Sequence, residues 1–212
     1  MIKAFMNNFR KPSGFLGSLV CQAMNLGHGP LARDVFKHFT ITPGMEALDI
    51  GCGGGCSLHI MLERGAKASG VDYSATSVAR ATSKVATYIE RGMAKIDCAS
   101  VQALPYENES FDLITAFETI YFWPDIETSL KEVFRVLRPG GRFVAAVEAW
   151  MEDGDAKCPA FFLQNLDMTL YGPEEFEKLL LAAEFSTVGT IRAQNGKWLA
   201  MHGEKKAATQ SA

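Results

Sequence analysis

The sequence predicts an α/β fold, a doubly wound sheet in a single domain, and three observations predict it. From residue 45 onward short apolar runs alternate with amphipathic stretches, the pattern of a parallel sheet covered on both faces. The run Ala47-Leu48-Asp49-Ile50 leads straight into Gly51-Cys52-Gly53-Gly54-Gly55, a buried strand followed by a loop almost free of side chains. The 212 residues, 48% of them hydrophobic and 21% charged, suit one globular domain with a full core.

Residues 1–44 read as an N-terminal helical cap. Pro12-Ser13-Gly14 is turn-like; Leu19, Val20, Ala23 and Met24, then Val35, Phe36 and Phe39, recur at helical spacing. Gly27-His28-Gly29-Pro30 breaks this prelude and Thr42-Pro43-Gly44 closes it. The core spans 45–203, with strands expected at Glu46–Ile50, Ala66–Val71, Ala94–Cys98, Phe111–Phe117 and Arg142–Glu148. Helices fill the gaps at Ser57–Arg64, Ser74–Arg91 and Ile126–Leu137. The stretch Met151–Lys157 is polar, and nothing up to Tyr171 forms a readable motif. Pro173 opens a helix whose first turn carries Glu174 and Glu175, favourable at a positive dipole end. Strands at Ser186–Ala193 and Lys197–His202 close the sheet, joined by Gln194-Asn195-Gly196, where Asn-Gly signals a hairpin. The tail 204–212 is small and polar and is expected to be disordered.

The bulk numbers exclude several classes. A net charge of -3 argues against nucleic acid as substrate. No apolar run approaches the ~18 residues that cross a membrane, and the first residues lack a secretory apolar centre. The five cysteines are odd in number and scattered, which argues for reduced thiols and a cytoplasmic protein. Cys52 and Cys56 have the wrong spacing for zinc and no histidine pair beside them, so no metal is expected.

In an open parallel sheet the ligand sits beyond the carboxyl ends of the strands. The first strand end supplies Asp49 and the glycine loop; a helix opening at Ser57 turns its unpaired N–H groups toward the same place. The second supplies Asp72, 21 residues past Gly51, the distance at which an acid takes ribose hydroxyls. A helix N-cap is the other role open to Asp72, and Ser74 fits that role better. A dinucleotide fingerprint requires glycine where Cys56 stands, whereas Asp49-x-Gly51-x-Gly53-x-Gly55 is matched at every position.

With that motif the chain resembles the class I S-adenosylmethionine-dependent methyltransferases, small-molecule enzymes of the type 11 kind. The resemblance extends through Leu104-Pro105-Tyr106, Ser110-Phe111-Asp112-Leu113-Ile114 and the run from Glu132 to Arg138-Pro139-Gly140-Gly141, over about residues 45–150. It implies a Rossmann-like seven-stranded sheet of order 3-2-1-4-5-7-6 with strand 7 antiparallel. It implies backbone contacts from Gly51, Cys52 and Gly53 to the methionine and ribose portions, and Asp49 beneath them reaching toward the methionine amino group. It further implies Asp72 on the ribose, Tyr73 beside the adenine, and Phe117 close to the methionine part. The family's acid–alanine pair is replaced by Ser100-Val101, so a hydroxyl stands where a carboxylate meets the adenine amino group.

The acceptor side falls on Glu118-Thr119-Ile120-Tyr121-Phe122-Trp123-Pro124. Tyr121 and Trp123 either flank an apolar or cationic acceptor or pack a lid onto the core. Glu118 orients the acceptor or takes its proton, or is simply a helix N-terminal acid; Glu148 is a second such acid or an exposed strand end. His28, with Asn25 nearby, either closes the pocket or is structural. The expected partner is a small-molecule methyl acceptor, with the chain a monomer or homodimer. The alternatives are a nicotinamide-dependent short-chain oxidoreductase and a non-catalytic S-adenosylmethionine-binding module. The first usually carries Tyr-x-x-x-Lys, and none of Tyr73, Tyr88, Tyr106, Tyr121 and Tyr171 has lysine four residues on.

Overall fold

A computed structural model describes residues 11–14 and 29–207. Helix α1 occupies 29–35. It is followed by β1 (Glu46–Ile50), α2 (Cys56–Glu63), β2 (Lys67–Asp72), α3 (Ala75–Lys84), α4 (Ala86–Glu90) and β3 (Ala94–Cys98). Then come β4 (Phe111–Phe117), a 3-10 turn (Ile120–Phe122), α5 (Ile126–Val136), β5 (Leu137–Val147), β6 (Trp150–Glu152), β7 (Asp155–Lys157) and α6 (Ala160–Asn165). Helix α7 (Pro173–Ala182), β8 (Ser186–Arg192) and β9 (Leu199–Glu204) complete the chain.

The main sheet has seven strands in the order β3-β2-β1-β4-β5-β9-β8. β9 runs antiparallel to both β5 and β8, and the other pairings are parallel. This is the expected order, with β9 as the seventh strand of the sheet. Alternation along each strand divides the core in two. Leu48, Ile50, Ile114, Phe143 and Ala145 face α5 and α7, with Leu130, Val133, Phe176 and Leu180 packed among them. Ala47, Leu113, Val144 and Ala146 face the other way, toward Val35 and Phe36 of the N-terminal segment and Leu58 and Met61 of α2. That segment is tied down by Arg64 Nη1 donating to Phe36 O at 2.8 Å and by Trp198 Nε1 donating to Asp34 at 2.9 Å.

Several elements differ from the sequence reading. The single helix expected over Ser74–Arg91 is two, because fully buried Val85 ends α3 outside helical geometry (ψ 19°). β5 begins at Leu137 rather than Arg142: the turn at Arg138-Pro139-Gly140-Gly141 is a bulge inside the strand, between Phe111↔Leu137 and Leu113↔Arg142. The stretch after residue 148 forms a β6–β7 hairpin, turned by Asp153 and Gly154 at φ 52° and 85°. The boundary set at 203 is also corrected. Glu204 belongs to β9, and Lys205 exchanges backbone hydrogen bonds with Gly140 and Gly141, so sheet pairing carries the chain further.

The punctuation motifs prove to be one clamp. Glu132 accepts from Leu104 N at 2.8 Å, and Arg135 donates to the carbonyls of Tyr106 and Leu104 at 2.8 and 3.1 Å. Arg138 holds both oxygens of Asp112 at 3.0 and 2.9 Å. This clamp fixes the loop leading from β3 into β4 against α5. Among the described residues no helix is long and apolar enough to cross a membrane.

Candidate active site at the carboxyl ends of β1, β2 and β4

Asp49 and Thr115 are register partners on β1 and β4, so their side chains share one face. Thr115 Oγ1 donates to Asp49 Oδ1 at 2.7 Å, and Ser57 Oγ, from the first turn of α2, donates to Oδ2. Asp49 is 1% exposed. Burial pushes its carboxyl up to about 6, against the pull of the two hydroxyls and with the help of the Asp72 charge. Each oxygen accepts from one hydroxyl, and the carboxylate lies beneath the loop rather than in the cavity wall. It braces the two ends of the glycine loop from inside.

The loop is held by its backbone. Gly51 N and Cys52 N both donate to Val71 O, and Gly55 N donates to Cys52 O at 2.8 Å. Gly51 adopts φ +69°, and an ideal Cβ there would lie 2.4 Å from Thr119 Oγ1. Among the described residues no side chain caps α2, whose first turn carries no acid, so none of them closes its N–H groups on the loop side. Cys52 turns its thiol beneath the loop, toward Gly70.

Asp72 ends β2. Its Oδ2 accepts from Gly53 N at 3.0 Å and its Oδ1 from Ser74 N at 2.8 Å. Burial raises its carboxyl, and those N–H groups oppose the rise. Ser74, not Asp72, caps α3 by accepting from Ser77 N at 3.3 Å. Each oxygen of Asp72 keeps a lone pair for a ligand. A cavity of about 160 Å³ opens here. Gly51, Asp72 and Tyr73 line one part of it, and Ser100 and Val101 another. Thr119, Phe122 and Trp123 supply the wall from the β4 side. Among the described residues no lysine or arginine lines it.

Beyond β4 the backbone turns sharply, with Glu118 at φ 56°. Its carboxylate accepts from Tyr121 Oη at 2.8 Å and from Glu148 N. Burial pushes the Glu118 carboxyl up to about 7; the two donors oppose this and the Glu148 charge adds to it. Burial and the Glu118 charge together drive the Tyr121 phenol well above its ordinary value. Tyr121 is 7% exposed, packs edge-on to Phe122 and accepts from Thr169 N at 3.0 Å, which ties the turn to the segment before Tyr171. Trp123 stacks on Phe143 while lining the cavity. Glu148 is exposed beside Glu118; partial burial raises its carboxyl and Lys197 pulls it back.

The structure thus brings Gly51, Asp72, Tyr73, Ser100, Val101 and Trp123 to one cavity and gathers Glu118, Tyr121 and Glu148 beside it. Phe117 does not line this cavity: its ring packs edge-on to Phe36 at 5.3 Å, on the face of the sheet covered by the N-terminal segment and α2. Odd and even strand positions face opposite sides, which put it there. His28 and Asn25 lie outside the described residues. Sequence reasoning missed Ser57, Thr115 and Thr119. Thr115 had a visible signal, a lone hydroxyl inside the apolar strand Phe111–Phe117; Thr119 had none.

Residues 48–145 match the family described as a methyltransferase domain. The chain is 30% identical over 141 residues to the sterol 4-C-methyltransferase strm-1 of Caenorhabditis elegans, covering 66% of this chain and 41% of that one. It is 34% identical over 118 residues to the ubiquinone biosynthesis O-methyltransferase of Idiomarina loihiensis, covering 51% and 46%. The chain therefore spans about half or less of the length of these curated relatives. In fold it resembles phosphoethanolamine N-methyltransferase 2 of Haemonchus contortus, solved with phosphomonomethylethanolamine and S-adenosylhomocysteine. The TM-score is 0.75 at 16% identity, covering 97% of this chain and 61% of that one.

Proposed function

We propose that this chain, whose residues 48–145 carry a class I S-adenosylmethionine-dependent methyltransferase domain, moves a methyl group from that cofactor to a small-molecule acceptor. The observation that carries this reading is the cavity at the ends of β1 and β2, where a glycine-rich loop meets a carboxylate and, among the described residues, no cationic side chain lines the walls. The residues fit the cofactor. Asp72 has lone pairs free for a diol, and the open N–H groups of α2 suit the carboxylate of an amino acid. Val101, Phe122 and Trp123 offer apolar walls to a flat base, with Tyr73 and Ser100 at the edge. The names of the sterol and ubiquinone relatives support a small-molecule acceptor.

When bound, the cofactor supplies a methyl group already activated by a sulfonium, for in-line displacement at carbon. The chain supplies alignment and exclusion of water, and effective molarity of this kind accounts for ~7–11 kcal/mol of barrier reduction. Buried Trp123 and half-buried Phe122 keep water from the cavity wall. Glu118 orients the acceptor through its carboxylate oxygens, and a carboxyl held near 7 suits it to take a proton at neutral pH. Tyr121 and Glu148 N fix the carboxylate; Tyr121 reaches the acceptor only through Glu118.

Calorimetry with S-adenosylmethionine, S-adenosylhomocysteine and NADH tests the cofactor. Binding of the first two without NADH is expected; micromolar binding of NADH alone refutes the reading. Transfer of radiolabelled methyl into the small-molecule fraction of a lysate, rather than into protein or nucleic acid, tests the acceptor class.

A further inference from the structure

We infer that Thr119 is a positioning residue, coupling occupancy of the cofactor cavity to the placement of the Glu118 carboxylate on the acceptor side. The inference rests on the cofactor reading above. Thr119 and Gly51 line the same cavity. The threonine occupies the space that a side chain at Gly51 would need, with Oγ1 2.4 Å and Cβ 2.9 Å from an ideal Cβ there. The preceding residue, Glu118, is left-handed at φ 56°. A non-glycine residue holds that conformation only where its surroundings over-determine it.

Both sides of the step are pinned. Toward the cavity, Thr119 O accepts from Phe122 N at 2.9 Å and starts the turn that carries Phe122 and Trp123 into the wall. Away from it, the Glu118 carboxylate is held by Tyr121 Oη and Glu148 N. One strained peptide thus joins a side chain facing the cofactor to a carboxylate facing the acceptor. A ligand filling the cavity bears on Thr119, and a shift there changes the two hydrogen bonds of Glu118. Buried carboxylates answer such changes in their proton affinity. The ionisable groups that act on Glu118 are Tyr121 from the turn, Glu148 from the end of β5 with Lys197 beside it, and Cys158 after β7.

The test is calorimetric titration of S-adenosylhomocysteine at pH 7 in two buffers of different ionisation enthalpy, which counts the protons exchanged on binding. The wild-type protein is expected to exchange a fraction of a proton, and Glu118→Gln to lose that fraction. Thr119→Ala is expected to lose the same fraction while binding S-adenosylhomocysteine within about tenfold of wild type. Thr119→Ser, which keeps the hydroxyl against Gly51, is expected to restore it. Proton exchange in Thr119→Ala equal to wild type overturns the inference, as does wild-type binding with no Glu118-dependent exchange. Failure of the wild-type protein to bind S-adenosylhomocysteine overturns the cofactor reading and the inference with it.

Discussion

Replacing Gly51 and Gly53 by alanine, one at a time, separates steric demand from ligand demand in the loop. Both glycines are left-handed, at φ +69° and +53°, and alanine in that region costs ~1–2 kcal/mol. At Gly53 nothing lies within 4 Å of an added Cβ, so that is the whole expected loss of stability. At Gly51 the Cβ falls 2.4 Å from Thr119 Oγ1 and 2.9 Å from Thr119 Cβ. The second atom is the root of the side chain and cannot swing aside, so overpacking adds ~1–3 kcal/mol. Urea unfolding should therefore give a loss of ~2–5 kcal/mol for Gly51→Ala against ~1–2 for Gly53→Ala, with unchanged slopes. Adding Thr119→Gly to Gly51→Ala should return more than ~0.5 kcal/mol beyond additivity, since the two touch. If the cofactor lies against this loop as proposed, Gly53→Ala should also lose affinity for S-adenosylhomocysteine in calorimetry. Equal losses at the two glycines, or strict additivity with Thr119→Gly, refute the geometry argued for Gly51.

Asp72→Asn replaces two acceptors of N–H groups by one acceptor and a donor, leaving Gly53 N or Ser74 N unpaired. A loss of ~1–3 kcal/mol in urea unfolding and a fall of tenfold or more in S-adenosylhomocysteine affinity are expected. Glu118 binds its proton up to about pH 7 in the folded chain against an ordinary 4.5, so its stabilising share is complete below 4.5 and lost as pH rises through 7. Glu118→Gln should remove that slope, at most ~3 kcal/mol between pH 5 and 8 in urea midpoints, and parallel pH profiles for the two proteins count against it. Arg135→Ala removes the donors to Glu132, Leu104 O and Tyr106 O; thermal melting should show a loss of ~1–3 kcal/mol, with faster amide exchange over 104–108. Sinefungin carries an amine where S-adenosylhomocysteine is neutral, so its relative affinity should rise up to about tenfold from pH 5.5 to 8 as Glu118 ionises; a flat ratio would show that Glu118 does not act on that position.

Much of the sheet was legible because strands buried on both faces read as short, nearly continuous apolar runs. Glu46–Ile50, Ala94–Cys98 and Phe111–Phe117 appear at their expected bounds. What failed to read depends on contacts between distant residues. Nothing local in Ala75–Glu90 shows that Val85 is drawn into the core and breaks the helix. The bulge that starts β5 at Leu137 follows from Asp112 and Arg138 closing on each other across the sheet. The Asp153-Gly154 turn did carry a hairpin signal, masked by the polarity of its flanks. In the site, Asp49 and Asp72 were identifiable as strand-end acids. What holds Asp49 in place was not, because its partners are Thr115 and Ser57, one a register partner and the other in the first turn of α2. Thr119 was invisible for the same reason: its importance is its distance from Gly51.

Charge, more than the glycine pattern, separates the nucleotides this loop could cradle. Asp49, Asp72 and Glu118 stand at the ends of adjacent strands, and burial pushes all three carboxyls upward. Among the described residues, the groups that pull them back are hydroxyls and backbone N–H groups, not lysine or arginine. Dipoles hold a carboxylate in place without cancelling its charge, so the ends of β1, β2 and β4 keep a negative field wherever these acids are ionised. A phosphate charge ~6 Å from one of them meets ~3 kcal/mol of repulsion at an effective dielectric of ~20, and a pyrophosphate brings two. A sulfonium at the same distance gains that energy instead. The open N-terminus of α2 offers the loop's favourable potential for a single carboxylate. A ligand negative at one end, positive at its middle and bearing a diol and a flat base matches every part of this arrangement. The two aspartates were in the sequence; that their hydrogen-bond partners among the described residues are hydroxyls and backbone N–H groups became visible only in the fold.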